Sequence, residues 1–182
     1  MGAEDADQHS ENSVIRHCIT EGLQQHMPSV DVIQLRAKEV DAGELLRRAR
    51  RIRATFNGTL LINDRVDVCL AAGADGVHLP AHRLAPSILK QRFGLIVGVS
   101  CHDLEEVRRA EQEGADYAYL SPIFKSSSKP GYGPALGLDT LRRVVEAVSI
   151  PVIALGGVTK ENEVKCIESG AAGIAGISYF GQ

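Results

Sequence analysis

Ala71-Ala72-Gly73-Ala74-Asp75-Gly76-Val77-His78-Leu79 is a joint, a helix-like stretch stopped by glycine and followed at once by a short apolar strand. The same joint returns as Glu113-Gly114-Ala115-Asp116-Tyr117-Ala118-Tyr119-Leu120 and as Ser169-Gly170-Ala171-Ala172-Gly173-Ile174-Ala175-Gly176. Each glycine stands where a helix stop needs left-handed backbone, and the residues after it have strand composition. Joints spaced roughly 40 to 55 residues apart indicate one βα unit reused around a parallel sheet. The segments on either side complete the alternation. Strands are expected over 14–20, 32–36, 59–63, 76–79, 95–100, 117–120, 151–155 and 173–177. Helices are expected over 42–55, 65–72, 85–93, from Asp103 onward, over 138–148 and over 160–169. Leu45, Leu46, Ala49 and Ile52 share one face of the first of these helices. Asp64 and Asp103 are placed to cap the helices that follow them, Asp103 with Glu106 three residues on. Eight strands with about seven helices close naturally into a (β/α)₈ TIM barrel. A doubly wound open sheet is the rival, but no Gly-x-Gly-x-x-Gly turn follows the first strand.

A chain of 182 residues is long enough for one well-buried core and short for two. The reading is therefore a disordered, acidic and polar lead-in over 1–12 and a barrel domain over 13–182. A net charge of −3 argues against a nucleic-acid partner, which would want a basic excess. No apolar run approaches the roughly 18 residues of a membrane span, and residues 1–12 lack the apolar core of a signal peptide. Cys18, Cys69, Cys101 and Cys166 are scattered, as expected for reduced thiols of a cytoplasmic protein, and the histidines show no metal-ligand spacing. The chain stops at Gln182, just past the eighth strand. The last outer helix is thus expected to be missing or truncated. The N-terminal segment or a partner chain would fill the gap, which leaves room for a homo-oligomer.

In such barrels chemistry sits at the C-terminal ends of the strands. Here those ends are polar. Gln34, Arg36 and Lys38 alternate, which puts them on one side of an extended segment. Asn63-Asp64 ends the third strand, and a carboxylate there suits a Mg²⁺ escorting phosphates. Ser100 ends the fifth strand. After the sixth comes Ser126-Ser127-Ser128-Lys129-Pro130-Gly131-Tyr132-Gly133, rich in hydroxyl, ammonium and backbone donors for a polyanion. Gly156-Gly157 and Ile177-Ser178 offer backbone N–H groups for a second anion, a phosphate cup that phosphosugar barrels also use. One site for a diphosphate and one for a monophosphate point to the joining of two small phosphorylated substrates.

Gln34-x-Arg36-x-Lys38, Asn63-Asp64, Gly76-Val77-His78-Leu79, Gly98-Val99-Ser100, Ser121-Pro122-Ile123-Phe124-x-Ser126-x-Ser128-Lys129 and Gly156-Gly157 occur in this order. As an ordered set, from about residue 32 to residue 178, they resemble the thiamine-phosphate synthases and their TenI-like relatives. The resemblance implies a TIM barrel that couples hydroxymethylpyrimidine diphosphate to hydroxyethylthiazole phosphate and releases diphosphate. It implies that Gln34, Arg36 and Lys38 hold the pyrimidine and the diphosphate, with Asn63 beside them, and that Asp64 binds Mg²⁺. Ser100 would contact the pyrimidine or its leaving group. Ser126, Ser128 and Lys129 would grip diphosphate, and Gly156, Gly157, Ile177 and Ser178 would cradle the thiazole phosphate. Arg36, Lys38, Ser100 and Lys129 are the expected catalytic residues. Two departures stand out. Pro80-Ala81-His82-Arg83 puts a cation where the synthases carry a second Mg²⁺-binding aspartate, which implies a weakened metal site. Pro122 falls where the related thiazole tautomerase carries its catalytic histidine. The alternative is a divergent TenI-like protein, either an enzyme or a regulatory binder of thiazole phosphate.

Overall fold

The computed structural model describes residues 15–20, 30–81, 83–125, 134–177 and 179. Eight strands run β1 (Ile15–Thr20), β2 (Val32–Leu35), β3 (Thr59–Asn63), β4 (Gly76–Leu79), β5 (Ile96–Cys101), β6 (Tyr117–Leu120), β7 (Val152–Leu155) and β8 (Gly173–Gly176). They pair in parallel in chain order, and β8 returns to β1 to close the barrel. Among the described residues six helices alternate with them: α1 (Ala42–Thr55), α2 (Val66–Ala72), α3 (Pro86–Phe93), α4 (Leu104–Gln112), α5 (Gly137–Ala147) and α6 (Glu163–Glu168). The lead-in over 1–12 and the segment after Tyr179 lie outside the described residues.

The repeated joint has a common construction. Gly73, Gly114 and Gly170 take φ of 64°, 88° and 91°, the left-handed stop a side chain would strain. The residue just before each new strand then ties itself to the strand before. Asp75 N–H donates to Leu60 O at 2.9 Å, and Leu60 N–H donates back to the Asp75 carboxylate at 2.7 Å. Asp116 and Val97 repeat the exchange at 2.8 Å both ways, and Asp31 and Arg16 do so at 3.1 and 2.8 Å. Ala172 makes only the backbone half, to Val152 O at 2.9 Å. The aspartate of the motif is therefore a clip for an otherwise unpaired strand-entry N–H. Arg53 of α1 and Lys90 of α3 pair with Asp75 and Asp116.

Two apolar layers follow from the period-2 alternation of the strands. Ile33, Leu35, Leu60, Ile62, Val77, Val97, Ala118, Leu120, Val152 and Ile174 point outward and pack with Leu45, Ala49, Ile52, Val107, Leu141 and Val144 of the helices. Ile19, Val32, Leu61, Tyr117, Tyr119, Ile153 and Ala175 fill the barrel itself. Asp41 and Asp103 cap α1 and α4 by accepting from Glu44 N–H and Glu106 N–H, each at 2.8 Å. Glu106 reaches back one residue further than a capping box would, to His102 N–H at 2.7 Å.

Three expectations need correction. Asp64 is not a helix cap: α2 starts at Val66, its cap position is Arg65, and no side chain closes it. Asp64 instead adopts φ 56°, and its carboxylate meets Arg83. Extended backbone in the second strand ends at Leu35, so Lys38 sits in an exposed turn rather than in line with Gln34. The last described helix is six residues long, because 160–162 form a turn ahead of it.

Candidate active site

The C-terminal rim of the barrel gathers the predicted residues of the first five strands. Gln34 lies inside the barrel at 1% exposure, on the neighbouring strand to Leu61. Its side-chain Nε2 donates to Asn63 Oδ1 at 3.1 Å. Its Oε1 is buried and has no partner, the one such side-chain atom among the described residues. A native interior seldom leaves an acceptor orphaned, since an unmade hydrogen bond costs about 1–3 kcal/mol. Arg36 follows at the rim, half-buried, and no ion pair among the described residues engages Arg36 or Lys38. Two cations at a barrel mouth, with no carboxylate partner among the described residues, are available to an anion.

Asp64 is not available in that sense. Arg83 Nη2 lies 3.0 Å from Asp64 Oδ2. A non-glycine residue in left-handed backbone is uncommon, and such outliers gather at functional sites. Here it aims the carboxylate at the guanidinium. Among the described residues no group of three His, Cys, Asp or Glu side chains converges as metal ligands. The described residues do not make a resident Mg²⁺ site: no group of ligands converges, and a cation lies on the Asp64 carboxylate.

Beneath the rim is a polar cluster that sequence reasoning did not assemble. His78 Nε2 lies 2.8 Å from Ser100 Oγ, and His78 Nδ1 lies 3.0 Å from the Tyr117 hydroxyl. His17 Nδ1 lies 3.0 Å from the Tyr119 hydroxyl. The His78 and Tyr119 rings stack with centroids 4.1 Å apart, and the edge of His17 meets Tyr117 at 5.3 Å. Burial drives His17 down to about 4, against the pull of Asp31. Burial, then the neighbouring His17 and Arg36, drives His78 down to about 3, so both rings are neutral at pH 7. Burial likewise raises the Tyr117 and Tyr119 phenols far out of the physiological range. A Cβ on Gly98 would overlap the Tyr117 ring, so this glycine makes room for the cluster. The available signal was the period-2 placement of Tyr117 and Tyr119, and of His17 ahead of Ile19, in strands otherwise built for burial.

Gly156 and Gly157, after β7, have φ of 90° and 66°. Their missing side chains let the loop after β6 lie against them, since a Cβ would come within 2.7 Å of Pro122 Cα and of Lys125 O respectively. Asn162 Nδ2 donates to Gly157 O at 3.0 Å and fixes the turn. Ile177, just past β8, is 51% exposed at the same rim. Ser126, Ser128, Lys129 and Ser178 lie outside the described residues. At the opposite rim a cleft of about 540 Å³ is lined by Val30, Asp31, Phe56, Asn57, Gly58, Thr59 and Asp75. Its two aspartates are engaged as strand clips.

The four cysteines are buried free thiols, and burial pushes Cys101 up to about 12 and the others to about 11. None is a nucleophile at neutral pH. No described helix is long and apolar enough to cross a membrane.

Known proteins are similar to this chain in sequence and fold. A family profile described as thiamine monophosphate synthase matches residues 6–180. A protein of Aquifex aeolicus, provisionally named thiamine-phosphate synthase 2, is 50% identical over 155 residues, covering 83% of each chain. The thiamine-phosphate synthase of Methanocella arvoryzae is 45% identical over 161 residues, covering 82% of this chain and 73% of that one. The structure of a thiamine phosphate pyrophosphorylase from Pyrococcus furiosus superposes with a TM-score of 0.77 at 31% identity, covering 92% of this chain and 87% of that one.

Proposed function

The chain belongs to the thiamine monophosphate synthase family, and on that premise we propose that it joins hydroxymethylpyrimidine diphosphate to hydroxyethylthiazole phosphate. The bond from the pyrimidine methylene carbon to the diphosphate oxygen breaks, the thiazole nitrogen attacks that carbon, and diphosphate leaves. The observation that carries this reading is the orphaned Gln34 Oε1, buried inside the barrel next to Asn63. It is an acceptor waiting for a donor, and the exocyclic amine of an aminopyrimidine is such a donor. Asn63, which holds the other end of the Gln34 amide, fixes the direction in which that acceptor faces.

The remaining roles follow from charge and position. Arg36 and Lys38, with Lys129, stabilise the negative charge that collects on the departing diphosphate, a contribution made only as the bond breaks. Ser126 and Ser128 donate to its oxygens. Ser100, at the end of β5, donates to the pyrimidine or to the leaving group. Gly156, Gly157, Ile177 and Ser178 present backbone donors to the thiazole phosphate. A Mg²⁺ would supply Lewis-acid charge to the diphosphate, and Asp64 would be the protein residue to hold it, in competition with Arg83.

Both precursors, incubated with the protein and Mg²⁺, are expected to yield thiamine phosphate and diphosphate. Wild-type protein should bind the aminopyrimidine diphosphate about 10- to 100-fold more tightly than its desamino analogue, the worth of one buried hydrogen bond. Gln34→Leu should lose that discrimination. Absence of product with thiazole phosphate binding retained would instead identify a TenI-like binder. Arg83 clamped on Asp64 is the observation that favours that second reading.

A further inference from the structure

We propose that Tyr117 and His78 form a one-way hydrogen-bond relay that fixes Ser100 as a donor to the substrate, which makes both of them positioning residues. The inference rests on the reading of Ser100 as a substrate contact but concerns groups to which that reading gives no role. His78 sits at 1% exposure between two hydroxyls, 3.0 Å from Tyr117 and 2.8 Å from Ser100. A neutral imidazole has one N–H and one lone pair, so one hydroxyl must donate to it and the other must accept from it. The ring lies inside the barrel, stacked on Tyr119 and with no carboxylate hydrogen-bonded to it among the described residues, which is the setting of a neutral imidazole.

Acidity decides which hydroxyl donates. The phenol is a far stronger acid than an aliphatic hydroxyl, so Tyr117 O–H takes the single lone pair, at Nδ1. The ring hydrogen is then on Nε2 and points at Ser100 Oγ. The serine oxygen accepts from below, and its own hydrogen is turned out of the barrel floor toward the mouth. The opposite tautomer would draw the Ser100 hydrogen down onto His78 and present the substrate with an acceptor only. The Tyr119 hydroxyl has its own partner in the second buried histidine, 3.0 Å from His17 Nδ1, which leaves His78 Nδ1 to Tyr117.

The tautomer is read directly by ¹⁵N-edited imidazole NMR on the ligand-free protein, whatever its activity. The His78 hydrogen is expected on Nε2 in the wild type. Tyr117→Phe removes one oxygen from a ring that otherwise stays packed, and should move the hydrogen to Nδ1. Affinity for the aminopyrimidine diphosphate should then fall about 10-fold in Tyr117→Phe and in Ser100→Ala alike, and no further in the double variant, because both remove the same donated hydrogen bond. A wild-type hydrogen on Nδ1 overturns the relay. Additive losses in the double variant also overturn it, since they would mean that Tyr117 acts by packing alone. Absence of pyrimidine binding in the wild type, with the hydrogen on Nε2, would sink the functional reading of Ser100 and leave the relay itself standing.

Discussion

Arg83 and Asp64 show how much one residue can alter a site. Arg83 is 61% exposed and Asp64 32%, so the pair contributes little to stability and is easily parted. Its consequence is occupancy: the carboxylate proposed as the Mg²⁺ ligand already has a cation beside it. Arg83→Ala should therefore raise the affinity of the free protein for Mn²⁺, used as a paramagnetic stand-in for Mg²⁺, by about 2- to 5-fold, in line with one exposed ion pair removed. Arg83→Asp should raise it further by supplying a second carboxylate. Electron paramagnetic resonance titration without substrate measures this directly, and unchanged affinity in both variants would mean that Asp64 is not a metal ligand. Sequence reading found both residues and the cation-for-carboxylate exchange. It assigned Asp64 to a helix cap because the left-handed φ of 56° is a property of the folded turn and not of the Asn63-Asp64-Arg65 string.

At the scale of the element, the unit is the βα joint and its aspartate clip. Val97 is fully buried, and its N–H has the Asp116 carboxylate as partner. Asp116→Ala should thus cost about 1–3 kcal/mol, the penalty for a buried donor left unmatched, read as a lowered urea midpoint with an unchanged slope. Gly98→Ala is a separate test, of the barrel interior. A methyl there meets the Tyr117 ring, and overpacking of this kind costs about 1–3 kcal/mol. It should also displace Tyr117 from His78, so its effect on pyrimidine binding should resemble that of Tyr117→Phe. An Asp116→Ala protein as stable as the wild type would show that the clip is replaceable by water. The elements themselves were legible in the chain because helix and strand periods and glycine stops are local. Their ends were less so: the third-strand-to-helix turn and the shortened α6 depend on neighbours that a local period does not contain.

For the molecule as a whole, the two neutral histidines in the barrel tie stability to pH. His17 and His78 have folded values of about 4 and about 3, below the ordinary value of 6.5. Between those limits the unfolded chain binds protons that the folded one does not. Stability is therefore full above pH ~6.5 and is lost as pH falls, by up to about 1.4 kcal/mol per pH unit for each histidine. The effect should be clearest between pH ~6.5 and ~4.5, above the range where most carboxylates titrate. Urea denaturation at stepped pH measures it, and His17→Gln should reduce the slope over that window. A wild-type stability flat from pH 7 to pH 5 would contradict the burial of neutral rings.

The chain by itself determined the alternation, the parallel closure and the polar ends of the strands, since these follow from periods of two and 3.6 residues and from glycines placed at helix stops. It also brought Gln34, Asn63 and Ser100 to the ends of their strands, because the alternation of a strand is local. Only the tertiary structure decided what those residues touch. His17 meets Tyr119 across 102 positions and His78 meets Tyr117 across 39, contacts set by the stagger with which eight strands close on themselves. The orphaned oxygen of Gln34 is likewise a fact of burial and not of residue type. Local periods say which side a residue faces; closure of the barrel says what is waiting there.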